Sequence, residues 1–270
     1  MKLPIALQLY SVRDALAEDF YGTLKKVKEM GYDGVELSGL GHKDPKEVRA
    51  MIDELGLKMN SSHAPVEEMQ KEGGLARYKQ AGCDYVVVPW IHYGGHNQHF
   101  EKNLDIIRDL AYKAHEEGLT LLYHNHDFEF KCVDGKTILD SLYDYVPAEY
   151  LKTQLDTCWV KFAGSDPVEY LKKYAGRAPL VHLKDFWEPE NVGGEKAVPY
   201  DLIGKTREDR ENDGFEFRPI GHGIQDIPAI LAASKAAGAE WIIVEQDESV
   251  GRTPLEAVKM SIDYLHSFEW

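Results

Sequence analysis

The sequence lacks the cysteine pattern, the basic charge and the long apolar run that mark three large classes of protein. Its three cysteines, Cys83, Cys132 and Cys158, are widely spaced and form no CxxC pair, which argues against a disulfide framework and against a thiolate zinc site. A formal net charge of −15 disfavours nucleic acid as a partner, because affinity for a phosphate backbone depends on clustered lysine and arginine. No apolar stretch approaches the roughly 20 residues that span a bilayer.

The first residues contain no signal-peptide core, since the chain moves directly into a strand-like run. We therefore expect a cytoplasmic protein without a membrane partner. The length of 270 residues fits one α/β barrel, which typically takes roughly 250 residues. A composition of 43% hydrophobic and 29% charged residues is ordinary for a globular chain. The oligomeric state is left open, a homo-oligomer included.

Short apolar runs alternate with helix-like stretches along the whole chain. Eight runs are interpreted as strands: Ile5–Tyr10, Gly34–Leu37, Leu57–Ser62, Tyr85–Pro89, Thr120–His126, Leu151–Asp156, Leu180–Leu183 and Trp241–Glu245. Several intervening helices end in glycine before the next strand, as in Met30-Gly31-Tyr32, which is typical of a helix C-cap. Strand followed by helix, repeated in this way, predicts an α/β fold that closes into a (β/α)8 TIM barrel, with residues 1–270 in one domain. A doubly wound open sheet is the alternative, but no glycine-rich phosphate fingerprint follows the first strand.

One connection between a strand and the next helix is longer than the others in this alternating pattern. Residues 188–218 follow the seventh strand, carry many charges and contain several glycines. In a barrel this segment would lie over the C-terminal mouth, which predicts a lid or a substrate-contact insertion. Packing against another subunit is an equally weighted alternative.

Side chains that can hold a divalent metal stand where four of the later runs end. These are Glu129, just beyond the fifth run, and Asp156, His182 and Glu245. Ligands from separate strand ends converge at the C-terminal mouth of a barrel, so we expect the four to share one ion. Three carboxylates and one imidazole form a mostly oxygen site, which favours Mn²⁺, with Mg²⁺, Co²⁺ or Zn²⁺ as alternatives. Taken singly, each residue could instead be a hydrogen-bonded strand end or a helix cap.

Further polar and aromatic residues near strand ends are candidates for binding substrate: His63, Trp90, His126, Lys184 and His222. Alternation along a strand places Lys184 on the face of His182, where its ammonium could hold a substrate oxyanion. An ion pair with a neighbouring carboxylate is the alternative. By the same alternation His124 and His126 share a face, and His126, nearer the strand end, is the one expected to meet the substrate.

Five motifs lie at or near these strand ends: residues 123–130 (YHNHDFEF), 154–159 (QLDTCW), 182–185 (HLKD), 221–226 (GHGIQD) and 244–247 (VEQD). As a combination they resemble the xylose-isomerase-like TIM-barrel superfamily, in its sugar phosphate isomerase/epimerase branch, and the likeness covers nearly the whole chain. The resemblance implies a single divalent metal held by a Glu–Asp–His–Glu set. In this sequence that set falls on Glu129, Asp156, His182 and Glu245. It also implies a small carbohydrate as substrate.

We therefore expect a metal-dependent isomerase or epimerase that acts on a small sugar, sugar phosphate or polyol ketone through an enediolate. Glu129 and Glu245 would be the catalytic pair, one removing the carbon-bound proton and the other returning it. An inosose-dehydratase-like lyase on a cyclic polyol ketone is the nearest alternative, because loss of a β-hydroxyl changes only the final step. A noncatalytic sugar-binding barrel is a second class, since Trp159 stands where ketose-epimerase relatives carry a histidine.

Overall fold

A computed structural model describes residues 2–91, 97–188 and 215–270, the first four residues of the middle range by their backbone alone. The strands in these ranges are β1 (Ile5–Gln8), β2 (Gly34–Leu37), β3 (Lys58–His63), β4 (Tyr85–Val88), β5 (Thr120–His124), β6 (Cys132–Val133), β7 (Lys136–Thr137), β8 (Leu151–Asp156), β9 (Leu180–Leu183), β10 (Asp185–Trp187), β11 (Glu216–Arg218) and β12 (Trp241–Val244). The α-helices are α1 (Arg13–Glu18), α2 (Phe20–Met30), α3 (Pro45–Glu54), α4 (Val66–Met69), α5 (Gly74–Ala81), α6 (Asn97–Glu116), α7 (Ile138–Tyr145), α8 (Thr157–Phe162), α9 (Pro167–Lys173), α10 (Ile227–Ala236) and α11 (Pro254–His266).

Eight of these strands form a closed parallel barrel. Their order around it is β1, β2, β3, β4, β5, β8, β9 and β12, and pairing of β12 with β1 closes the ring. All eight strands expected from the sequence occur, so the predicted single-domain (β/α)8 TIM barrel is confirmed. The remaining strands form two short antiparallel hairpins, β6–β7 and β10–β11. None of the helices in the described ranges is both long and apolar enough to cross a membrane.

The expected lid or insertion at residues 188–218 falls mainly on residues 189–214, which lie outside the described residues. The structure does show the two ends of this segment, because β10 pairs with β11 and sets Phe186 opposite Phe217. Both rings belong to a buried cluster with three further aromatic side chains, Trp159, Phe162 and Phe215. The hairpin is therefore anchored beside helix α8, next to the end of β8.

The barrel interior consists of an apolar floor with a polar layer above it. The floor is made of five buried side chains: Ala6, Val87, Leu122, Leu180 and Ile243. Side chains of a strand alternate between its two faces, so the residue two positions beyond a floor residue also points inward. The polar layer is thus formed by the next inward residues on four of these strands, Gln8, His124, His182 and Glu245. Outward-facing side chains pack against the helices in the main core.

Helix ends follow local signals in the sequence. Asp44 caps α3 by accepting hydrogen bonds from two backbone N–H groups of the first turn. Thr253 and Glu256 form a reciprocal capping box at the start of α11. Gly31 ends α2 with a φ of 104°, in the left-handed region that glycine adopts without steric cost. These signals position each helix relative to the strand that follows it.

Asp185 holds the loop after β11 against the mouth of the barrel. It is buried, and its carboxylate accepts hydrogen bonds from the backbone N–H groups of Phe186, Gly221, Gly223 and Gln225 at 2.9, 3.0, 2.9 and 3.2 Å. Position 223 requires glycine, because an added Cβ would lie 2.1 Å from Asp185 Oδ1 and 2.3 Å from the carbonyl oxygen of Phe186. The loop conformation thus depends on one buried carboxylate.

Replacing this carboxylate with an amide should destabilise the fold, because an amide cannot accept hydrogen bonds at both ends. For Asp185→Asn we expect the free energy of unfolding, measured by urea denaturation, to fall by about 1.5–3 kcal/mol, the range for hydrogen bonds to a charged group. Asp226→Asn is the matched control, since Asp226 is exposed and caps α10 through the N–H of Ala229, a role that Asn retains. Equal losses in both variants would contradict the role given to Asp185.

Candidate active site and metal centre

Four ligand-type side chains from four barrel strands meet at the carboxyl ends of those strands. They are His124, Asp156, His182 and Glu245; each offers one ligand atom, and these atoms lie within 4.8 Å of one another. All four side chains are buried. Imidazole nitrogens and carboxylate oxygens together suit a divalent transition-metal ion. This group is the candidate metal centre.

Asp156 uses its two carboxylate oxygens differently. Oδ1 accepts hydrogen bonds from the N–H groups of Cys158 and Trp159 and so caps α8. Oδ2 is buried and accepts no hydrogen bond, although Lys184 Nζ lies 3.3 Å and His124 Nε2 3.7 Å away. A buried carboxylate oxygen without a hydrogen bond is costly unless a cation compensates it. The Lys184 ammonium supplies part of this compensation, and the imidazole and carboxylate groups around Oδ2 would also fit a divalent metal ion.

A lysine ammonium group lies among the carboxylates at the mouth. Nζ of Lys184 is 2.7 Å from Glu245 Oε2, 3.0 Å from Asp247 Oδ2 and 3.3 Å from Asp156 Oδ2. Burial alone would lower the pKa of Lys184, but these carboxylates outweigh it and raise the pKa well above its usual value. The ammonium therefore stays charged. The structure shows the ion pair that the sequence left as an alternative, with three partners.

His182 lies between two carboxylates. Its Nε2 is 2.7 Å from Glu36 Oε1, and its Nδ1 is 3.0 Å from Glu245 Oε2. Burial alone would lower the pKa of His182, yet the two carboxylates raise it to about 9. Without a metal ion the ring carries both protons at neutral pH. Ligation through Nδ1 requires loss of the proton on that nitrogen.

Two carboxyl groups beside Lys184 have pKa values shifted in opposite directions. Burial alone would raise the pKa of Glu245, but Lys184 and His182 hold it well below its usual value. The pKa of Asp247 is raised, chiefly by burial, although Lys184 opposes the shift. Neighbouring carboxyl groups with diverging pKa values are the arrangement that active sites use to place an acid beside a base.

A cavity of about 250 Å³ opens above this group. Its walls include four of the five residues expected to bind substrate: His63, Trp90, His126 and Lys184. Glu245 and Asp247 line the same cavity, and the side chain of Trp90 is 47% exposed at the rim. Pockets for drug-sized ligands are typically about 300–1,000 Å³, so this cavity suits a small molecule.

The position of Glu129 needs a correction. Its Oε1 accepts a hydrogen bond from the Tyr123 hydroxyl at 2.6 Å, and its Oε2 accepts one from the backbone N–H of His126 at 2.8 Å. Tyr123 precedes the inward-facing His124, so its side chain points to the opposite side of β5, toward the helices. Glu129 follows Tyr123 there and lies behind the strand. The place expected for Glu129 in the ligand group is taken by His124.

His222 also lies apart from the cavity. Its ring packs near Tyr264 of α11, with ring centroids 6.5 Å apart, because the hydrogen bonds to Asp185 turn its loop in that direction. Sequence reasoning expected His126 rather than His124 to meet the substrate, and it gave Gln154 no role. The signal for His124 was alternation from the apolar residue Leu122, which would have placed it inward.

Comparison with known proteins identifies the family. The family model described as xylose isomerase-like TIM barrel matches residues 24–268. The chain belongs to the xylose isomerase-like TIM barrel family. An inosose dehydratase from Geobacillus kaustophilus is 27% identical over 278 residues, which cover 90% of this chain and 85% of that protein. The resemblance seen in the motifs is confirmed at the level of the family.

Solved structures share the same barrel. A sugar phosphate isomerase/epimerase from Parabacteroides distasonis has a TM-score of 0.77 at 22% identity, covering 99% of this chain and 94% of that one. A 3-keto-D-glucoside 4-epimerase from E. coli has a TM-score of 0.67 at 15% identity, covering 99% and 100%. At such identities the likeness shows the fold alone.

In this xylose isomerase-like barrel we expect Glu129 to set a pH dependence of stability. Burial raises the pKa of Glu129 from 4.5 to about 8, although the hydrogen bond from Tyr123 opposes the shift. Between these two pKa values the folded state keeps a proton that the unfolded state has lost. Stability is therefore lost as pH rises through this window, with a slope approaching about 1.4 kcal/mol per pH unit.

Urea unfolding across the window measures this slope. The Glu129→Gln variant should lack the contribution, because the amide does not titrate, and should bind metal like the wild type. Glu29→Gln is the control, since Glu29 is exposed on α2 and its replacement should leave the slope unchanged. If the stability of Glu129→Gln changed with pH as steeply as that of the wild type, the role given to Glu129 in the pH dependence would be wrong. Loss of bound metal in this variant would indicate that Glu129 is a metal ligand after all.

Proposed function

We propose that this chain is a divalent-metal-dependent enzyme that removes a carbon-bound proton beside the carbonyl of a small polyhydroxylated ketone, as sugar isomerases and epimerases do. The observation that carries the proposal is the buried ligand group below the cavity: His124, Asp156, His182 and Glu245. Mn²⁺ is the ion we assign to it, with Mg²⁺, Co²⁺ or Zn²⁺ as alternatives. An ion held there would polarise the substrate carbonyl and stabilise the negative charge of an enediolate.

Glu245 is the group that we assign to proton removal. It lines the cavity, and the Lys184 ammonium at 2.7 Å and His182 Nδ1 at 3.0 Å keep its carboxylate ionised. A base that is already ionised at neutral pH can accept a proton directly. Its contact with Lys184 also fixes the direction in which the carboxylate points.

Asp247 is the group that we assign to proton return. It lines the same cavity, lies 3.0 Å from Lys184, and has a pKa raised chiefly by burial, which favours the proton-carrying form that an acid needs. It replaces Glu129, which the sequence paired with Glu245 and which lies behind β5. Lys184 bridges the two carboxyl groups and stabilises whichever of them is ionised.

The cavity walls supply groups that would orient a sugar. Trp90 presents a half-exposed ring at the rim, and a flat apolar face of this kind packs against the carbon face of a sugar. His63 and His126 line the cavity with ring nitrogens that can hydrogen-bond hydroxyl groups. The cavity volume of about 250 Å³ suits a single sugar or polyol unit.

A dehydratase is the second candidate function, and the relatives favour it. The Geobacillus kaustophilus protein named inosose dehydratase is similar over 90% of this chain. Elimination of water begins with the same proton removal by Glu245 and then requires a proton for the departing hydroxyl oxygen. Asp247 is placed to supply that proton.

Reaction in D2O distinguishes these functions. With Mn²⁺ present and a panel of ketoses, inososes and their phosphates, an isomerase or epimerase should place deuterium on the carbon beside the carbonyl without loss of water. A dehydratase should give a product lighter by one water molecule, as detected by mass spectrometry. Ligand binding without exchange or turnover on any member of the panel would leave a noncatalytic sugar-binding barrel and contradict the proposal.

The Glu245→Gln variant tests the assigned base. We expect kcat/KM to fall by about 10²–10⁴-fold, the usual contribution of a positioned acid–base group, and the metal content, measured by elemental analysis, to fall as well. Glu240→Gln is the matched control, because Glu240 is exposed and precedes the amino end of the same strand. Wild-type turnover in Glu245→Gln would contradict the assignment of Glu245 as the base.

A further inference from the structure

Two candidate ligand groups overlap in this barrel. His124 and His182 belong to the group described above and also to a second one, completed by His63, whose ligand atoms likewise lie within 4.8 Å of one another. Only a ring nitrogen without a proton has a lone pair for a metal ion. The positions of the ring protons on His63, His124 and His182 therefore limit which group can hold the ion.

Glu36 constrains the ring of His182. Its buried carboxylate accepts hydrogen bonds from Gln8 Nε2 at 2.7 Å and His182 Nε2 at 2.7 Å on Oε1, and from Gln154 Nε2 at 2.6 Å on Oε2. An ionised carboxylate can only accept, so each partner must present an N–H group. His182 is thereby held with a proton on Nε2, and its Nδ1 faces Glu245.

Gln154 passes this constraint to the other two histidines. Because its amide nitrogen donates to Glu36, its amide oxygen must face the opposite way. That oxygen lies 2.7 Å from His63 Nε2 and 3.2 Å from His124 Nδ1, and it can only accept, so both ring nitrogens carry protons. The lone pair of His124 is left on Nε2, the nitrogen that lies 3.7 Å from Asp156 Oδ2.

We propose that Glu36 and Gln154 form a positioning pair that fixes the tautomers of His124 and His182 and so selects the group with Asp156 and Glu245 as the metal centre. This inference rests on the proposed function, since it assumes that the site holds a divalent ion. Both residues of the pair are fully buried, and neither is among the described residues that line the cavity. They act on the ion through the two rings, as outer partners of metal-bound histidines do.

The decisive experiment exchanges the two side chains. In Glu36→Gln alone, the new amide N–H faces one of the three groups that donate hydrogen bonds to Glu36, so one of these bonds is lost. In Gln154→Glu alone, the carboxylates at positions 36 and 154 face each other and repel. Each single variant should weaken Mn²⁺ binding, measured by calorimetry, by about 10–100-fold, the usual effect of losing such an outer partner. In the double variant the amide at position 36 donates to the carboxylate at position 154, and that carboxylate still accepts from both histidines. We expect its Mn²⁺ affinity to return to within a few-fold of the wild type.

Glu129→Gln is the matched control, because it makes the same chemical change at another fully buried glutamate that lies outside this network. It should leave Mn²⁺ affinity unchanged. The Co²⁺-loaded proteins provide a second measurement, since the visible absorption of Co²⁺ reports the ligand geometry. The spectrum should change in both single variants and be restored in the double variant, whereas general loss of stability would not alter it in this pattern.

Nitrogen-15 NMR of the histidine rings tests the inference in the metal-free wild type and needs no variant to fold. We expect neutral His124 to carry its proton on Nδ1 and His182 to carry protons on both ring nitrogens, since each nitrogen of His182 faces a carboxylate oxygen. A proton on Nε2 of neutral His124, wild-type Mn²⁺ affinity in Glu36→Gln, or a double variant as weak as the single ones would overturn the proposal. If the wild type binds none of Mn²⁺, Mg²⁺, Co²⁺ and Zn²⁺, the proposed function fails, while the NMR result still decides the tautomers.

Discussion

Compensation of buried negative charge at the barrel mouth is the constraint on which this site depends. Glu36, Asp156 and Glu245 are fully or almost fully buried, and an ionised carboxylate removed from water costs several kcal/mol unless it is paired. Among the described residues, two cationic side chains contact them directly: Lys184, and His182, whose pKa is raised to about 9 by Glu36 and Glu245. These three carboxylates outnumber the two cations, and Asp247 adds a further carboxyl group beside Lys184. A divalent ion would complete this balance without adding a further side chain.

The architecture could be predicted because it is encoded in short-range patterns. Apolar runs that alternate with helices and glycine caps indicate a parallel barrel, and this inference does not require knowing which strands pair. Closure of the barrel then brings the carboxyl ends of the strands together. For this reason Asp156, His182 and Glu245, each at or beside a strand end, were identified from position alone. Their role as ligands of one ion stays a prediction, but their convergence is a fact of the structure.

The rest of the site depends on which side of a strand each side chain faces and on contacts between residues far apart in the sequence. Glu129 was misplaced because the apolar run was extended to His126, whereas β5 ends at His124 and the chain then turns behind the strand. Beyond the end of a strand, alternation no longer fixes the direction of a side chain, so position in the sequence could not place Glu129. The contact of Gln154 with Glu36 joins residues 118 positions apart, and no local pattern reports a hydrogen bond across the barrel. Glu36 and Gln154 come into contact only when the strands close into a barrel.

The two layers inside the barrel divide the chemistry between them. The apolar floor closes the barrel below the site. Above it, the hydrogen bonds of Glu36 and Gln154 hold the histidine rings in place. This polar layer would therefore determine where an ion and a base can act. Groups at the cavity mouth, such as Asp247 and Trp90, lie beyond this layer and line the cavity that would hold the substrate. Under the proposed mechanism, proton removal by Glu245 would belong to the polar layer and would be common to an isomerase and a dehydratase. In the same mechanism, groups at the mouth such as Asp247 would determine whether the enediolate regains a proton or expels a hydroxyl.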